Sequence, residues 1–154
     1  MTAPAHLAGI ARHAKPHGPI EVIDRVHISI DGGVAGNGRG QVSPGKPGKR
    51  QISLIEQESW DAALAELGAD LPWQVRRANL LVSGVRLPRE PGRIIMIGPD
   101  VRLEVTLECD PCSRMDEIAP GLRAALMPDW RGGVLARVIA GGEIALGDAI
   151  RIEA

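Results

Sequence analysis

VRLEVTLEC, Val101 to Cys109, decides the fold class of this chain. Apolar Val101, Leu103, Val105, Leu107 and Cys109 alternate with polar Arg102, Glu104, Thr106 and Glu108. A period of two marks a half-buried β-strand, because successive side chains point to opposite faces. The reading predicts a central strand with its odd-numbered side chains in the core and Cys109 on that inner face. A one-residue slip would bury the four polar side chains instead, so the register is strongly specified.

Outward from this strand, most segments also read as β. IEVIDRVHISI (Ile20 to Ile30) is rich in β-branched residues, and ANLLVSG and RIIMIG read as short strands. GGVLARVIAGG and GDAIRIEA read as two closing strands joined by a Gly-Gly turn. EQESWDAALAELG places Trp60, Ala63, Leu64 and Leu67 at helical spacing, with Gly68 as the stop. A second short helix is expected over Ile118 to Met127, with Pro120 near its start. The expected architecture is a mainly β, barrel-like domain over residues 20–154, with one or two short helices. Residues 1–19 read as a poorly ordered lead-in or a first short strand.

Composition narrows the function classes. The chain has no Phe, no Tyr and only three Trp, so its core is built from Ile, Leu, Val and Ala. The usual stacking platforms for bases are missing, and a net charge of -1 provides no basic field for a phosphate backbone. Nucleic acid is therefore not an expected partner, and any anion site must be a local cluster of arginines. No segment approaches the roughly 20 apolar residues of a membrane span, and the first residues lack a signal-peptide core. A cytoplasmic protein without membrane contact is expected, and in that compartment a cysteine pair is more often catalytic or metal-binding than structural.

That pair is Cys109 and Cys112, in ECDPCSRM. A thioredoxin-type site needs its CxxC at a helix start in an alternating βα pattern, which this strand-rich chain lacks. A structural zinc site needs two further ligands, yet all four His lie before residue 28 and no second CxxC exists. Cys109 continues an apolar strand face and so fits a small buried hydrophobe. Cys112 follows Pro111 in a polar turn beside Ser113 and Arg114, where positive charge favours the reactive thiolate. Cys112 is thus the expected reactive thiol. The segment DGGVAGNGRGQVSPGKPGKR, with seven Gly and two Pro in twenty residues, reads equally as a flexible linker or as a backbone anion nest.

LEVTLECDPCSRM followed by RGGVLARVIAGGEIALGDAI resembles the MOSC family, the domain at the C-terminus of molybdenum cofactor sulfurases. RQISLIEQE (Arg50 to Glu58), VRRANLLVSG (Val75 to Gly84) and GVAGNGRG (Gly33 to Gly40) resemble further segments of that family, in its order. The resemblance implies a pyruvate-kinase-barrel-like β fold and binding of the molybdopterin-type molybdenum cofactor, or of a related metal–sulfur species. It also implies a functional cysteine, acting as metal ligand or sulfur carrier. Stand-alone members place that cysteine after a proline at the end of the long strand, which is Cys112 here; other branches place it elsewhere, which keeps Cys109 open. Arg77 with Asn79 is the pair the resemblance singles out for the cofactor, Asn79 offering donor and acceptor to a pterin edge. Arg50, Arg76 and Arg131, at strand ends or in turns, are the further arginines expected to converge on the anion.

The family's loop carries Gly-Asp where this chain has Gly36-Asn37. The implied activity is a molybdenum-dependent oxidoreductase or a sulfur-transfer protein. No desulfurase sequence accompanies the domain, so a sulfurtransferase or reductase is the expected partner. The competing expectation, motivated by Asn37, is a non-catalytic β-barrel binding domain that has lost the chemistry.

Overall fold

A computed structural model describes residues 4–15, 18–38, 41 and 48–153. Parts of the Gly-rich stretch, including the end of Gly33 to Gly40, lie outside them. The strands are β1 (His6–Arg12), β2 (Glu21–Ile23), β3 (Arg25–Ser29), β4 (Gly33–Val34), β5 (Ile52–Glu56) and β6 (Leu80–Ser83). They continue with β7 (Ile94–Ile97), β8 (Val101–Glu108), β9 (Val134–Ala140), β10 (Gly142–Ala145) and β11 (Ile150–Ile152). The helices are α1 (Gln57–Leu67), α2 (Arg114–Ile118) and α3 (Leu122–Leu126).

Eight strands form one sheet in the order β11-β7-β8-β9-β5-β6-β1-β2, and β10-β3-β4 form a second. All pairings are antiparallel except β5 with β6, which α1 connects. That follows from geometry, since parallel neighbours need a long crossover. The large sheet does not close by a ladder. Its ends meet instead at an isolated bridge between His6 and Ala149, with Leu7 N–H donating to Asp148 O and Ile150 N–H to Ala5 O.

The fold is mainly β, as expected, with several local corrections. The strand expected over Ile20 to Ile30 is two strands broken at Asp24. Among the described residues there are three α-helices rather than one or two: the helix expected over Ile118 to Met127 is α3, and α2 precedes it, ending at Ile118 before Pro120. A proline cannot donate the backbone bond that would have joined them. The Gly-Gly turn does not close a hairpin of β9 and β11. It leads into β10, which pairs with β3, while β11 pairs with β7. Residues His6–Arg12 form a full strand of the main sheet, with Leu7, Ile10 and Ala11 buried.

The principal core lies between the sheets and includes Leu7, Ile28, Leu54, Leu80, Ile95, Leu103 and Val105. A smaller core packs Trp60, Leu64, Met115, Leu122 and Leu126 against the other face of the main sheet, at Ile55 and Leu81. β5 and β6 are therefore covered on both faces, which explains their continuous apolar runs. α1 follows the predicted pattern, burying Trp60, Ala63 and Leu64 and ending at Gly68 in the left-handed conformation (φ 64°).

β8 is central, between β7 and β9, and Val101, Leu103 and Val105 are buried as the alternation requires. Beyond Val105 the expectation fails. The register against β9 passes from Val105 opposite Ala136 to Leu107 opposite Leu135, so Thr106 is an extra residue in a β-bulge. Leu107 turns outward to 38% exposure, and Cys109 is half-buried rather than packed into the core. The bulge releases the strand end from the core and delivers both cysteines to a cleft. Among the described residues, no helix is long and apolar enough to cross a membrane.

Candidate functional site

The cleft, of ≈ 280 Å³, gathers short segments that lie beside strand ends. His13 follows β1, Arg50 and Gln51 precede β5, and Arg76, Arg77 and Asn79 precede β6. Cys109, Cys112 and Arg114 follow β8, and Asn37 comes from the loop after β4. Ile118, Met115 and Leu135 form its apolar wall. Of the residues the sequence singled out, the cleft brings together Arg50, Arg76, Arg77, Asn79, Cys109 and Cys112.

Arg131 does not belong to it. Its Nη1 donates to Glu66 Oε2 at 2.6 Å and to Ala125 O at 3.0 Å, tying α1 to α3. The hydrogen bond to Glu66 raises the pKa of Arg131 despite some desolvation. The expectation that Arg131 joins the anion site is not met: a carboxylate 65 positions earlier in sequence claims it.

Asn79 borders the cleft, yet its amide is directed at the backbone. Oδ1 accepts from Ser53 N at 3.1 Å and from Ser53 Oγ at 3.3 Å, while Nδ2 donates to Ala11 O at 3.2 Å. The side chain is 5% exposed and stitches β5, β6 and β1 together where their paths diverge. Gln51 acts similarly, donating to Ile30 O and accepting from Val138 N. Asn37, also buried, accepts from His13 N at 3.0 Å and so holds the loop after β4 against the end of β1.

The adjacent arginines diverge. Arg77 ends a 3-10 turn over Trp73–Arg76 with φ 67°, the left-handed region, which for a residue with a Cβ costs roughly 1–2 kcal/mol. Its Nη2 donates to Gly18 O at 2.9 Å. Arg76 turns inward and is 8% exposed. Its Nη2 donates to Cys109 O and Gly132 O, each at 2.9 Å, and lies 3.4 Å from Cys109 Sγ. Its Nε is buried without a hydrogen-bond partner. No ion pair joins Arg76 to a carboxylate among the described residues. The family resemblance points to Arg77 rather than Arg76, and nothing local in the sequence distinguishes the two halves of an Arg-Arg pair.

Gly132 explains how Arg76 gets so close. A Cβ there would lie 2.6 Å from Cys109 O and 3.2 Å from Arg76 Nη2, so glycine is required. Gly133 is tighter still: φ is +103°, and a Cβ would come 2.1 Å from Leu54 O.

Both cysteines are free, Cys109 half-buried and Cys112 exposed. Four arginines line the cleft (Arg50, Arg76, Arg77, Arg114), and no carboxylate does among the described residues. The nearest acidic feature in sequence is Glu108 beside Asp110. Desolvation first, then repulsion from and hydrogen bonding with Asp110, hold Glu108 above the usual carboxylate range. No group of three or more His, Cys, Asp or Glu is arranged to hold a metal among the described residues. The chemistry available is therefore that of an anion site with two accessible sulfurs, not of a closed structural zinc site.

Comparison with known proteins bears on the family and the fold. A sequence model of the MOSC domain matches residues 13–151. No curated protein matches the chain. Among solved structures, the YuaD protein of Bacillus subtilis is similar with TM-score 0.75 and 20% identity, over 96% of this chain and 95% of that one. YiiM of Geobacillus stearothermophilus is similar with TM-score 0.72 and 17% identity, over 98% of this chain and 76% of that one. YiiM of Escherichia coli follows with TM-score 0.69 and 14% identity, covering 97% and 70%. At these identities the likeness is one of fold.

Proposed function

The chain belongs to the MOSC domain family, and from that premise we propose that its cleft binds the molybdopterin-type molybdenum cofactor or a related metal–sulfur species. Cys112 is the metal ligand or sulfur carrier in this reading. The observation that carries it is the lining of the cleft: Arg50, Arg76, Arg77 and Arg114 stand around it, and Arg76 is buried with an Nε that has no hydrogen-bond partner. A buried donor left unpaired is costly, and a phosphate or another anion is what completes guanidinium groups best. The exposed sulfur of Cys112 adds a soft donor of the type that thiophilic metals and transferable sulfur require.

The protein's own residues divide the work. Arg50 and Arg114 stand at the cleft and attract the anion, and buried Arg76 joins them in its lining. Asn79, Gln51 and Asn37 hold the surrounding strand ends and loop in place. Met115, Ile118 and Leu135 keep one wall dry. When bound, the cofactor supplies oxo- or sulfur-exchange chemistry at its metal. At ≈ 280 Å³ the cleft is at the small end of ligand pockets, roughly 300–1,000 Å³, so part of a pterin cofactor would project from its mouth. A sulfurtransferase or reductase that meets that mouth belongs to the same reading.

Metal and pterin analysis of protein made in a cofactor-competent host tests the proposal. One molybdenum per chain in the wild type, lost in Cys112→Ser, is expected. The competing reading of a binding domain without chemistry draws on Asn37, whose amide serves the backbone. Protein with neither metal nor pterin and an unreactive Cys112 would favour it.

A further inference from the structure

Two sulfurs share the cleft although the reading above uses one. Cys112 is exposed, in a segment between β8 and α2 without regular secondary structure. Cys109 is half-buried and fixed, its N–H donating to Gly133 O at 2.9 Å and its carbonyl accepting from Arg76 at 2.9 Å. Three features prepare Cys109 for more than packing. The bulge at Thr106 moves it off the core face. Gly132 opens the space in which Arg76 reaches it. The Arg76 guanidinium lies 3.4 Å from its sulfur, a contact that strengthens when the sulfur side carries negative charge.

We propose that Cys112 and Cys109 form a two-station sulfur relay, in which exposed Cys112 accepts a sulfane sulfur and passes it to Cys109 beside Arg76. The proposal rests on Cys112 being a sulfur carrier. In the loading step, the Cys112 thiolate attacks the outer sulfur of a small persulfide or polysulfide, whose inner sulfur leaves as a thiolate. In the relay step, the Cys109 thiolate attacks the outer sulfur of Cys112–S–SH. A Cys109–S bond forms, the Cys112–S bond breaks, and its electron pair stays on Cys112 as thiolate. The transferred sulfur keeps its proton and its oxidation level, so no oxidant or reductant is needed. The second station keeps the persulfide, anionic once it loses its proton, beside a cation and away from solvent thiols. The first remains free to meet the donor.

The test uses reduced, native protein pulsed with a limiting amount of inorganic polysulfide, then alkylated at intervals. Fragment ions of the peptide Leu103 to Arg114, which holds both cysteines, locate the added sulfur. The expected result is label first on Cys112 and later on Cys109. Cys112→Ser should slow loading of Cys109 by about tenfold or more, and Cys109→Ser should leave loading of Cys112 unchanged. In Cys109→Ser, a small added thiol should strip the persulfide about tenfold faster than from wild type. Label that stays on Cys112 throughout overturns the relay and leaves the carrier reading standing. So does a Cys109 that loads equally fast in Cys112→Ser, or a Cys109–Cys112 disulfide with release of hydrosulfide. If neither cysteine takes up sulfur, the relay and the carrier reading fall together.

Discussion

Replacing Asn79 by alanine separates a structural role from a ligand-binding one at a residue that borders the cleft. The substitution removes three hydrogen bonds: two into Ser53 and one to Ala11 O. At 5% exposure, water cannot freely replace them. Each net bond is worth about 1 kcal/mol, and a buried group left unpaired costs about 1–3 kcal/mol, so the sum is roughly 2–4 kcal/mol. For a domain of this size that lowers Tm by roughly 5–15 °C. Urea unfolding should show a lower midpoint at constant slope, the mark of a stability change without a change in compactness. Asn79→Asp sharpens the test. The new carboxyl keeps the acceptor for Ser53 but sets an oxygen against Ala11 O, where only a protonated group can donate. Burial raises its folded-state pKa above the unfolded value, so stability relative to wild type is best at low pH and falls as pH rises. An Asn79→Ala protein within about 0.5 kcal/mol of wild type would refute the structural assignment, since that is the range of inconsequential surface substitutions.

Other perturbations have equally definite outcomes. Gly133→Ala should destabilise by roughly 2–5 kcal/mol, combining left-handed strain with the clash against Leu54 O. Gly68→Ala, at φ +64° with nothing within 4 Å, should lose only about 1–2 kcal/mol; equal melting shifts for the two would contradict the packing argument. Because Glu108 is held above the usual carboxylate range, chiefly by desolvation, its charge opposes folding at neutral pH and has no effect in acid, where the group is protonated in both states. Glu108→Gln should therefore raise Tm slightly at pH 7.5 and leave it unchanged at pH 3, as read by thermal melts. Mild alkylation of reduced native protein should modify exposed Cys112 before half-buried Cys109, as read by fragment ions. Arg131→Ala should lower stability by loosening α1 from α3 while leaving anion binding in the cleft unchanged, whereas Arg50→Ala should do the reverse in a phosphate titration.

Much of this protein is legible in its sequence because the relevant physics is local. Alternation from Val101 to Val105 specifies a strand with one buried face. The spacing of Trp60, Ala63 and Leu64 before Gly68 specifies α1 and its end. The ordered motifs around Cys112 were enough to indicate the family that the chain belongs to. What the sequence left open depends on groups far apart along the chain. Thr106 looks like one more polar position in an alternating strand, and only pairing with β9 turns it into a bulge that moves Leu107 and Cys109. Arg76 and Arg77 are interchangeable by composition. The left-handed turn at Arg77 and the space left by Gly132 send one toward Cys109 and the other toward Gly18. Arg131 is withdrawn by Glu66, and Asn79 by Ser53 and Ala11. Periodicity shows which face of an element is buried, but which partner satisfies a long polar side chain depends on what the completed fold brings within about 3 Å of it.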